Sequence, residues 1–163
     1  MATKWEKTTV FDLTADKLLE TLTNPEFQAA QRMNDSAVVD ARYQEVARKG
    51  DHLIFEVRAT EYERGLTGLN KKKTLESVTR NDWDLQQKTS TWVYSSPATG
   101  KVSIDGYSRI EPEGDKSKLV AGFTIDVRIP LVGKKVEQAI SSGMIEGRAK
   151  YDDTIREYAK KLS

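Results

Sequence analysis

The residues that could support catalysis are few in this sequence. A hydrolytic triad combines serine, histidine and an acid, and the one histidine, His52, lies next to a predicted hairpin turn. Its side chain should point away from the face that carries Leu53 and Phe55, because successive side chains in a strand alternate between faces. We interpret His52 as a surface residue, which leaves no candidate for a triad.

Metal and cofactor sites are disfavoured for a similar reason. With one histidine and no cysteine, an ordinary zinc site lacks its preferred ligands, although carboxylates suit a hard cation. The paired acids, Asp82 with Asp84 and Asp152 with Asp153, are expected to solvate the surface. The 65–68 segment lacks the lysine and the following helix of a phosphate-binding loop. We therefore predict no catalytic residue, no metal ligand and no cofactor.

Length and composition bound the class of protein. The 163 residues contain no long linker and no repeat, so we predict one domain over residues 1–163. Charged residues make up 31% of the chain but nearly cancel, to +1, which argues against nucleic acid as a partner. The first residues offer no apolar signal region, no apolar run approaches the length of a membrane span, and cysteine is absent. We expect a soluble protein of the cytoplasm.

The C-terminal third of the sequence indicates the architecture. Between Leu119 and Ile129, apolar residues alternate with polar ones, so one face of this strand is buried and the sheet is antiparallel. Pro130 cannot donate to a strand ladder, and Gly133 permits a turn. The strand should therefore end there, and a long helix should follow over residues 134–161.

Upstream, the pattern predicts one strand, two short helices and further strands. Thr14 and Asn24, the latter followed by proline, are helix-start signals. Residues 49–51 and 113–115 are turn signals, and the connection through residues 64–68 looks loose. The predicted order is strand, two helices, six strands and a long helix, which is an α+β fold. The six strands are predicted at 39–44, 53–59, 73–83, 89–95, 102–110 and 119–129.

The long helix carries an unusual stripe of residues at spacings of three and four, which share one face and should meet the concave side of the sheet. The stripe consists of Val136, Ile140, Gly143, Gly147, Tyr151, Ile155, Tyr158 and Leu162. Each glycine disfavours a helix by about 1 kcal/mol relative to alanine. Either Gly143 and Gly147 allow close packing against a bulky strand residue, or they leave room for a bound molecule; the sequence is compatible with both.

The junction between the last strand and this helix carries a family resemblance. Residues 129–137, Ile-Pro-Leu-Val-Gly-Lys-Lys-Val-Glu, resemble a Pro-Leu-Val-Gly-(Gly/Lys)-Lys-(Ile/Val)-Glu junction in an uncharacterised bacterial domain-of-unknown-function family of the START-like (SRPBCC) superfamily. Residues 81–83, 96–97 and 105–107 stand where that family tends to carry a tryptophan, a proline and a glycine. The resemblance implies a helix-grip fold, in which a curved antiparallel sheet wraps around the C-terminal helix and encloses a cavity for lipids, sterols, polyketides or other apolar molecules. The family itself implies no known activity.

The sequence supports a cavity better than it supports catalysis. Our leading hypothesis is a non-enzymatic module that binds a hydrophobic or amphipathic, lipid-like small molecule between the sheet and the last helix. The alternatives are a START-like enzyme of the cyclase or hydrolase type that uses the same cavity, and a protein-interaction domain. The residues predicted to line the cavity are Tyr43, Phe55, Val57, Trp83, Trp92, Ile104, Phe123, Ile125, Gly143, Gly147 and Tyr151.

Charge adds a prediction about the entrance to this cavity. Antiparallel strands alternate in direction, so the connections after Tyr62, Ser95 and Ile129 should gather at one end of the sheet. They are rich in lysine and arginine, and we place Lys72 and Lys134 at the entrance. Such a basic rim favours an anionic group on the ligand or, at most, peripheral contact with an acidic membrane surface. The alternative is an ordinary solvated surface.

Overall fold

The computed structural model describes residues 2–65, 68–97 and 99–162. Its elements follow the predicted order, which confirms the α+β architecture. The strands are β1 (Thr3–Phe11), β2 (Val38–Lys49), β3 (His52–Gly65), β4 (Gly68–Asp84), β5 (Thr89–Ser95), β6 (Val102–Glu113) and β7 (Lys116–Val127). The helices are α1 (Ala15–Leu22), α2 (Pro25–Met33) and α3 (Gly133–Lys161), with a short 3-10 turn at Thr99–Lys101.

The seven strands of the described ranges form one antiparallel sheet in the order β1-β7-β6-β5-β4-β3-β2. β1 and β2 lie at opposite edges, because α1 and α2 carry the chain across the sheet between them. Register shifts in β2, between Val38 and Asp40 and between Glu45 and Ala47, are bulges that bend and twist the strand. The curved sheet has an inner face, on which the helices pack. We name the end at which β7 leads into α3 its upper end.

The predicted local signals are confirmed. The Thr14 side chain accepts a hydrogen bond from the Lys17 amide at 3.2 Å and caps α1. Asn24 accepts from the Phe27 amide at 3.0 Å and caps α2, whose first residue is Pro25. Each cap satisfies an amide that would otherwise lack a partner in the first helical turn. The β2–β3 and β6–β7 turns use the left-handed backbone that glycine permits, with φ of 59° at Gly50 and 66° at Gly114.

The long β3–β4 hairpin differs from the prediction. β3 and β4 continue to Gly65 and Gly68 instead of ending at the loose connection predicted for residues 64–68. Within that connection, Leu66 and Thr67 lie outside the described residues. The pairing steps from Tyr62–Thr74 to Glu63–Asn70, which leaves residues 71–73, all lysines, unpaired in a bulge. Backbone pairing needs no apolar alternation, so this polar extension of the hairpin gave no strand signal.

Two apolar clusters form the core. The lower cluster joins α1, α2 and the C-terminal half of α3 to the sheet: Phe11, Leu18, Leu22, Phe27, Leu53, Phe55, Val57, Trp83, Ile110, Leu119 and Ile155. The upper cluster is centred on Phe123, Ile125 and Val127, against which Trp5, Trp92, Ile104, Val136, Ile140 and Met144 pack. α3 therefore touches the upper cluster with its first half and the lower cluster with its second half. No helix of the described residues is long and apolar enough to cross a membrane.

Candidate functional site: the inner cleft

Strand register fixes which residues face the helices. One row of cross-strand partners crosses the inner face from β3 to β1: Phe55, Asn81, Trp92, Gly106, Phe123 and Trp5. The next pairings place Trp83 and Tyr94 on this face as well, which the sequence had left open. A Cβ on Gly106 would overlap the Trp92 ring, so this glycine lets the indole lie flat across β6.

The three helices cover only part of the inner face. α1 packs on β6 and β7, α2 on β2 and β3, and α3 on β1 and β7. Among the described residues, no helix lies as close to β4 or β5 as each helix lies to these strands. We name the space between β4, β5 and α3 the inner cleft. Its floor includes the half-buried side chains of Thr79, Trp92 and Tyr94, with Ile104 beside them on β6.

The glycines of α3 face open space. Gly143 and Gly147 are exposed, and no described atom beyond their own helix lies within 4 Å of the position that a Cβ would occupy on either one. The first alternative, close packing against a bulky strand residue, is therefore wrong. Gly143 directly precedes Met144, the last residue of α3 that packs on the upper cluster, and Gly147 precedes Tyr151, the first that packs on the lower cluster. Their cost to helix stability, about 1 kcal/mol each, is offset by no packing in this structure.

The side of α3 that faces β1 is held by polar contacts, which the predicted stripe did not include. Its fully buried residues between 133 and 148 are Gly133, Glu137, Ser141 and Arg148, whereas Val136 and Ile140 of the stripe are half-buried and pack on the upper cluster. Glu137 accepts hydrogen bonds from the Thr3 hydroxyl and, at 3.4 Å, from the Val127 amide. The hydrogen bond from Thr3 lowers the pKa of Glu137 below its usual range. The start of α3 is thereby tied to both β1 and β7.

A second polar contact ties the middle of α3 to β1. Asp152, predicted to lie on the surface, is buried, whereas Asp153 is exposed. Asp152 accepts hydrogen bonds from Arg148 Nε at 2.8 Å and from the Thr9 hydroxyl at 3.0 Å, and Arg148 also donates to Thr9 at 3.1 Å. A buried ion pair with its remaining positions hydrogen-bonded fixes an orientation, here that of α3 relative to β1.

Aromatic contacts close the lower end of the structure. Phe27 of α2 meets Tyr151 and Tyr158 of α3 edge to face, with centroid distances of 5.7 Å and 6.0 Å. Burial raises the pKa of Tyr151 to about 12. These contacts, together with the ring pair of Tyr43 and Phe55 at 5.0 Å, leave the inner cleft bounded below and open beside Gly143 and Gly147.

A polar cluster of Arg32, Glu61, Ser77 and Tyr94 borders the cleft where α2 ends. Arg32 Nη2 and the Tyr94 hydroxyl both donate to Glu61 Oε2, at 3.0 Å and 2.9 Å. Glu61 and Ser77 are buried, with 4% and 1% of their surface exposed. Burial, reinforced by Glu61, raises the pKa of Tyr94 to about 12. The cluster therefore keeps a protonated phenol and an ion pair at the edge of the floor.

Two buried polar atoms of this cluster have no hydrogen-bond partner among the described residues, Arg32 Nε and Ser77 Oγ; Trp83 Nε1, in the lower core cluster, also has none. Ser77 Oγ lies beside the Tyr94 hydroxyl but without the geometry of a hydrogen bond. Buried polar atoms are nearly always paired, and an unpaired one calls for a specific partner such as water or a ligand.

The predicted lining residues divide into three groups. Phe55, Val57, Trp83 and Ile125 are almost fully buried in the core, and Phe123 is 5% exposed. Tyr43, Trp92, Ile104 and Tyr151 are half-buried, and Gly143 and Gly147 are exposed. Of the predicted lining residues, only the second and third groups therefore keep surface that a ligand could reach.

The two predicted entrance residues are both exposed at the upper end. Lys72 belongs to the bulge of β4, where its amide donates to the Asn70 side chain at 3.0 Å. Lys134 begins α3 and lies 3.5 Å from the Glu137 carboxylate. The 3-10 turn and the β7–α3 connection meet here, because the Arg128 amide donates to the Lys101 carbonyl at 2.7 Å.

Two shallow clefts lie elsewhere. One of about 460 Å³ lies between α1 and the β6–β7 turn, lined by residues such as Thr14 and Gly114, and one of about 210 Å³ lies beside His52 and Asp82. His52 is exposed, as predicted, and its Nδ1 lies 3.0 Å from Asp82 Oδ1. Within the described ranges, no three acidic or histidine side chains come together as a metal site would require.

Sequence reasoning missed the polar cluster, although part of its signal was present. Leu53, Phe55, Val57 and Ala59 alternate inward, and the same parity carries Glu61 to the inner face. A glutamate that continues a buried register is a candidate for a paired, functional or structural charge.

The comparisons with known proteins agree with this geometry. A START superfamily protein from Mycobacterium smegmatis superposes with a TM-score of 0.60 at 14% identity, over 98% of this chain and 99% of that one. The Zhui aromatase/cyclase from Streptomyces sp. R1128 gives 0.68 at 11% identity, over 99% and 95% of the two chains. Norcoclaurine synthase from Thalictrum flavum gives 0.62 at 15% identity, over 99% and 87%. At these identities the likeness establishes a START-like fold and leaves activity open.

None of the curated proteins matches the chain in sequence. Residues 6–158 match the profile of a family described as protein of unknown function (DUF2505). Because this match spans most of the 163 residues, the chain belongs to the DUF2505 family.

Proposed function

We propose that this protein binds an apolar or amphipathic small molecule in the inner cleft, without transforming it. The observation that carries the proposal is the open side of α3: Gly143 and Gly147 have no described neighbour beyond their own helix within 4 Å. Trp92 and Tyr94 supply aromatic surface on the floor, which suits an apolar ligand with a few polar groups.

The state of the buried acids favours binding over catalysis. General acid or base catalysis needs a group that can exchange a proton near neutral pH. Among the described residues, the buried acids are Glu61, Glu137 and Asp152. Glu61 and Asp152 are paired with Arg32 and Arg148, and Glu137 accepts from Thr3 and lies 3.5 Å from Lys134. The alternative is a cyclase-type or hydrolase-type enzyme, and one of the similar structures is named an aromatase/cyclase. Either chemistry would require one of these pairs to open.

The proposed entrance lies between Lys72 and Lys134, at the upper end. Cations there would attract an anionic group on the ligand, and the effect should weaken as salt is added. The double substitution Lys72→Glu with Lys134→Glu should lower the affinity for a fluorescent fatty acid and spare that for an uncharged naphthalene. If the variant and the parent protein bind the fatty acid with equal affinity, the proposal that the entrance lies between Lys72 and Lys134 is wrong.

The binding proposal is tested with protein purified from its own host. Native mass spectrometry should detect a copurified small molecule, and a fluorescent naphthalene probe should be retained in the cleft. Gly147→Leu should abolish probe binding while the protein stays folded, because the added side chain fills the cleft. The matched control is Ala149→Leu, since residue 149 is exposed and lies about 200° around the helix from Gly147. Failure to retain any molecule or probe would refute the proposal.

A further inference from the structure

The unpaired atoms of the polar cluster form a set with one chemical character. Arg32 Nε carries a hydrogen that only an acceptor can satisfy, and the Ser77 hydroxyl can donate as well. Arg32 Nη2 and the Tyr94 hydroxyl already donate to Glu61 Oε2, whereas neither Arg32 Nε nor Ser77 Oγ meets an acceptor of the cluster in hydrogen-bond geometry. Arg32 Nε and Ser77 Oγ are therefore buried donors that still lack an acceptor.

The position of the cluster connects these donors to the cleft. Two of its members lie on β4 and β5, the floor strands, and Arg32 reaches them from the last turn of α2. α2 ends against α3, where the Asn34 side chain donates to the Thr154 hydroxyl at 2.8 Å. Thr154 lies two turns, about 10 Å, below Gly147 on the same side of α3. The open space beside Gly147 therefore lies about 10 Å along α3 from the end of α2, on the side of α3 that α2 contacts.

The charges of the cluster restrict the kind of acceptor. Arg32 and Glu61 form an ion pair at 3.0 Å with side chains 16% and 6% exposed, so their charges compensate each other. A carboxylate or phosphate buried beside Glu61 would find no uncompensated cation and would lose its hydration. A carbonyl or hydroxyl oxygen has a much smaller desolvation cost and can accept from both free donors.

We propose that Ser77 and Arg32 Nε hold an uncharged oxygen of the ligand, a ketone, ester or amide carbonyl or a hydroxyl, while its apolar body lies along the cleft. This inference rests on the proposed function and narrows its ligand class. Both donors are shielded from solvent, so the oxygen reaches them when the half-buried Tyr94 side chain turns aside. This movement breaks the hydrogen bond from Tyr94 to Glu61, so it favours a ligand whose own contacts with the protein compensate for that loss.

Two probes of nearly the same shape isolate the contribution of the oxygen to the binding affinity. 2-Acetylnaphthalene and 2-isopropylnaphthalene differ in that a carbonyl oxygen replaces a methyl group, and their affinities are measured by fluorescence titration or calorimetry. We expect the ketone to bind about tenfold more tightly to the parent protein, as one well-made buried hydrogen bond allows. Ser77→Ala should reduce this ratio to about one by weakening the ketone alone. Ser77→Thr, which keeps the hydroxyl, should restore much of it.

The control is Ser108→Ala, because Ser108 is a half-buried serine of the same inner face on β6 and lies outside the cluster. It should leave the ratio unchanged. Equal affinities of the two probes for the parent protein, or a ratio that survives Ser77→Ala, would overturn the inference while the binding function stands. Failure of both probes to bind would overturn the proposed function and this inference with it.

Discussion

The two sides of α3 differ sharply. Toward β1, the helix is held by a buried ion pair and by hydrogen bonds from Thr3 and Thr9. On another side, it presents two glycines with open space around them. Because directional contacts on one side of α3 fix its position, its other side does not need to be packed against other residues. The contrast explains how a long helix can be rigidly placed and still leave a cleft beside it.

The openness of the cleft also has an energetic reason. A sealed apolar void of roughly 300 Å³ would cost about 7 kcal/mol, at about 24 cal/mol per Å³, against a total stability of about 5–15 kcal/mol for a typical domain. A cleft with half-buried Tyr94 and Thr79 on its floor admits water and avoids this cost. Its ligand would then displace water, and apolar burial would drive binding.

The largest effect is expected on the anchored side. Asp152→Ala removes the acceptor for Arg148 and Thr9, leaving a buried guanidinium without its partner. We expect the free energy of unfolding to fall by about 3 kcal/mol, measured by urea denaturation. Replacing both partners, with Arg148→Met and Asp152→Leu, should recover most of the loss because no charge remains buried. A loss below about 1 kcal/mol in the single variant would mean that this pair does not anchor α3.

The sequence predicted the elements through short-range rules. The caps Thr14 and Asn24 and the turns at Gly50 and Gly114 each depend on a few neighbouring residues, so they are readable without knowledge of the fold. The alternation in β7 likewise reports its own burial. These signals are sufficient for the order of elements and for the antiparallel sheet.

The facing of α3 could not be predicted in the same way. Apolar periodicity favoured a stripe through Gly143 and Gly147. However, β1 presents Thr3, Lys7 and Thr9 on its inner face, and these polar side chains are better matched by polar residues of α3. Thr9 and Asp152 are separated by 143 positions in the chain, and their contact depends on β1 joining the edge of the sheet beside β7.

The candidate site was predicted in part. Parity places Ile104 on the inner face, and it would also have placed Glu61 there, whereas the sequence left the facing of Trp92 open. Arg32 is different, because its approach to Glu61 depends on the path of α2 across the sheet. Its position after a helix start signal gives no indication of this contact.

An intermediate effect on stability is expected at alkaline pH. It allows Tyr151 at the lower end to be compared with Tyr94 on the floor of the cleft. The pKa values of Tyr151 and Tyr94 are raised to about 12 in the folded protein, whereas an unfolded tyrosine ionises near pH 10. The unfolded chain therefore loses these protons first. The stabilisation is fully present below about pH 10 and falls away as the pH rises toward about 12, by at most about 1.4 kcal/mol per pH unit for each group.

Tyr151→Phe should make this decline shallower, as measured by urea denaturation at several pH values. Tyr94→Phe should do the same and, in addition, remove the hydrogen bond to Glu61 at every pH. If Tyr151→Phe follows the parent curve throughout, the phenol is not held protonated by burial between α2 and α3.

The smallest effect on stability is expected at the open side of α3. Its sign, stabilising or destabilising, distinguishes open space from close packing. Gly147→Ala should raise the free energy of unfolding by up to about 1 kcal/mol, because alanine favours the helix and its Cβ meets no described atom. Gly106→Ala is the contrasting control, since a Cβ there would overlap the Trp92 ring; it should destabilise by about 1–3 kcal/mol. Both are measured by urea denaturation. Destabilisation by Gly147→Ala would mean that α3 lies closer to the sheet in solution, and the contrast between its two sides would disappear.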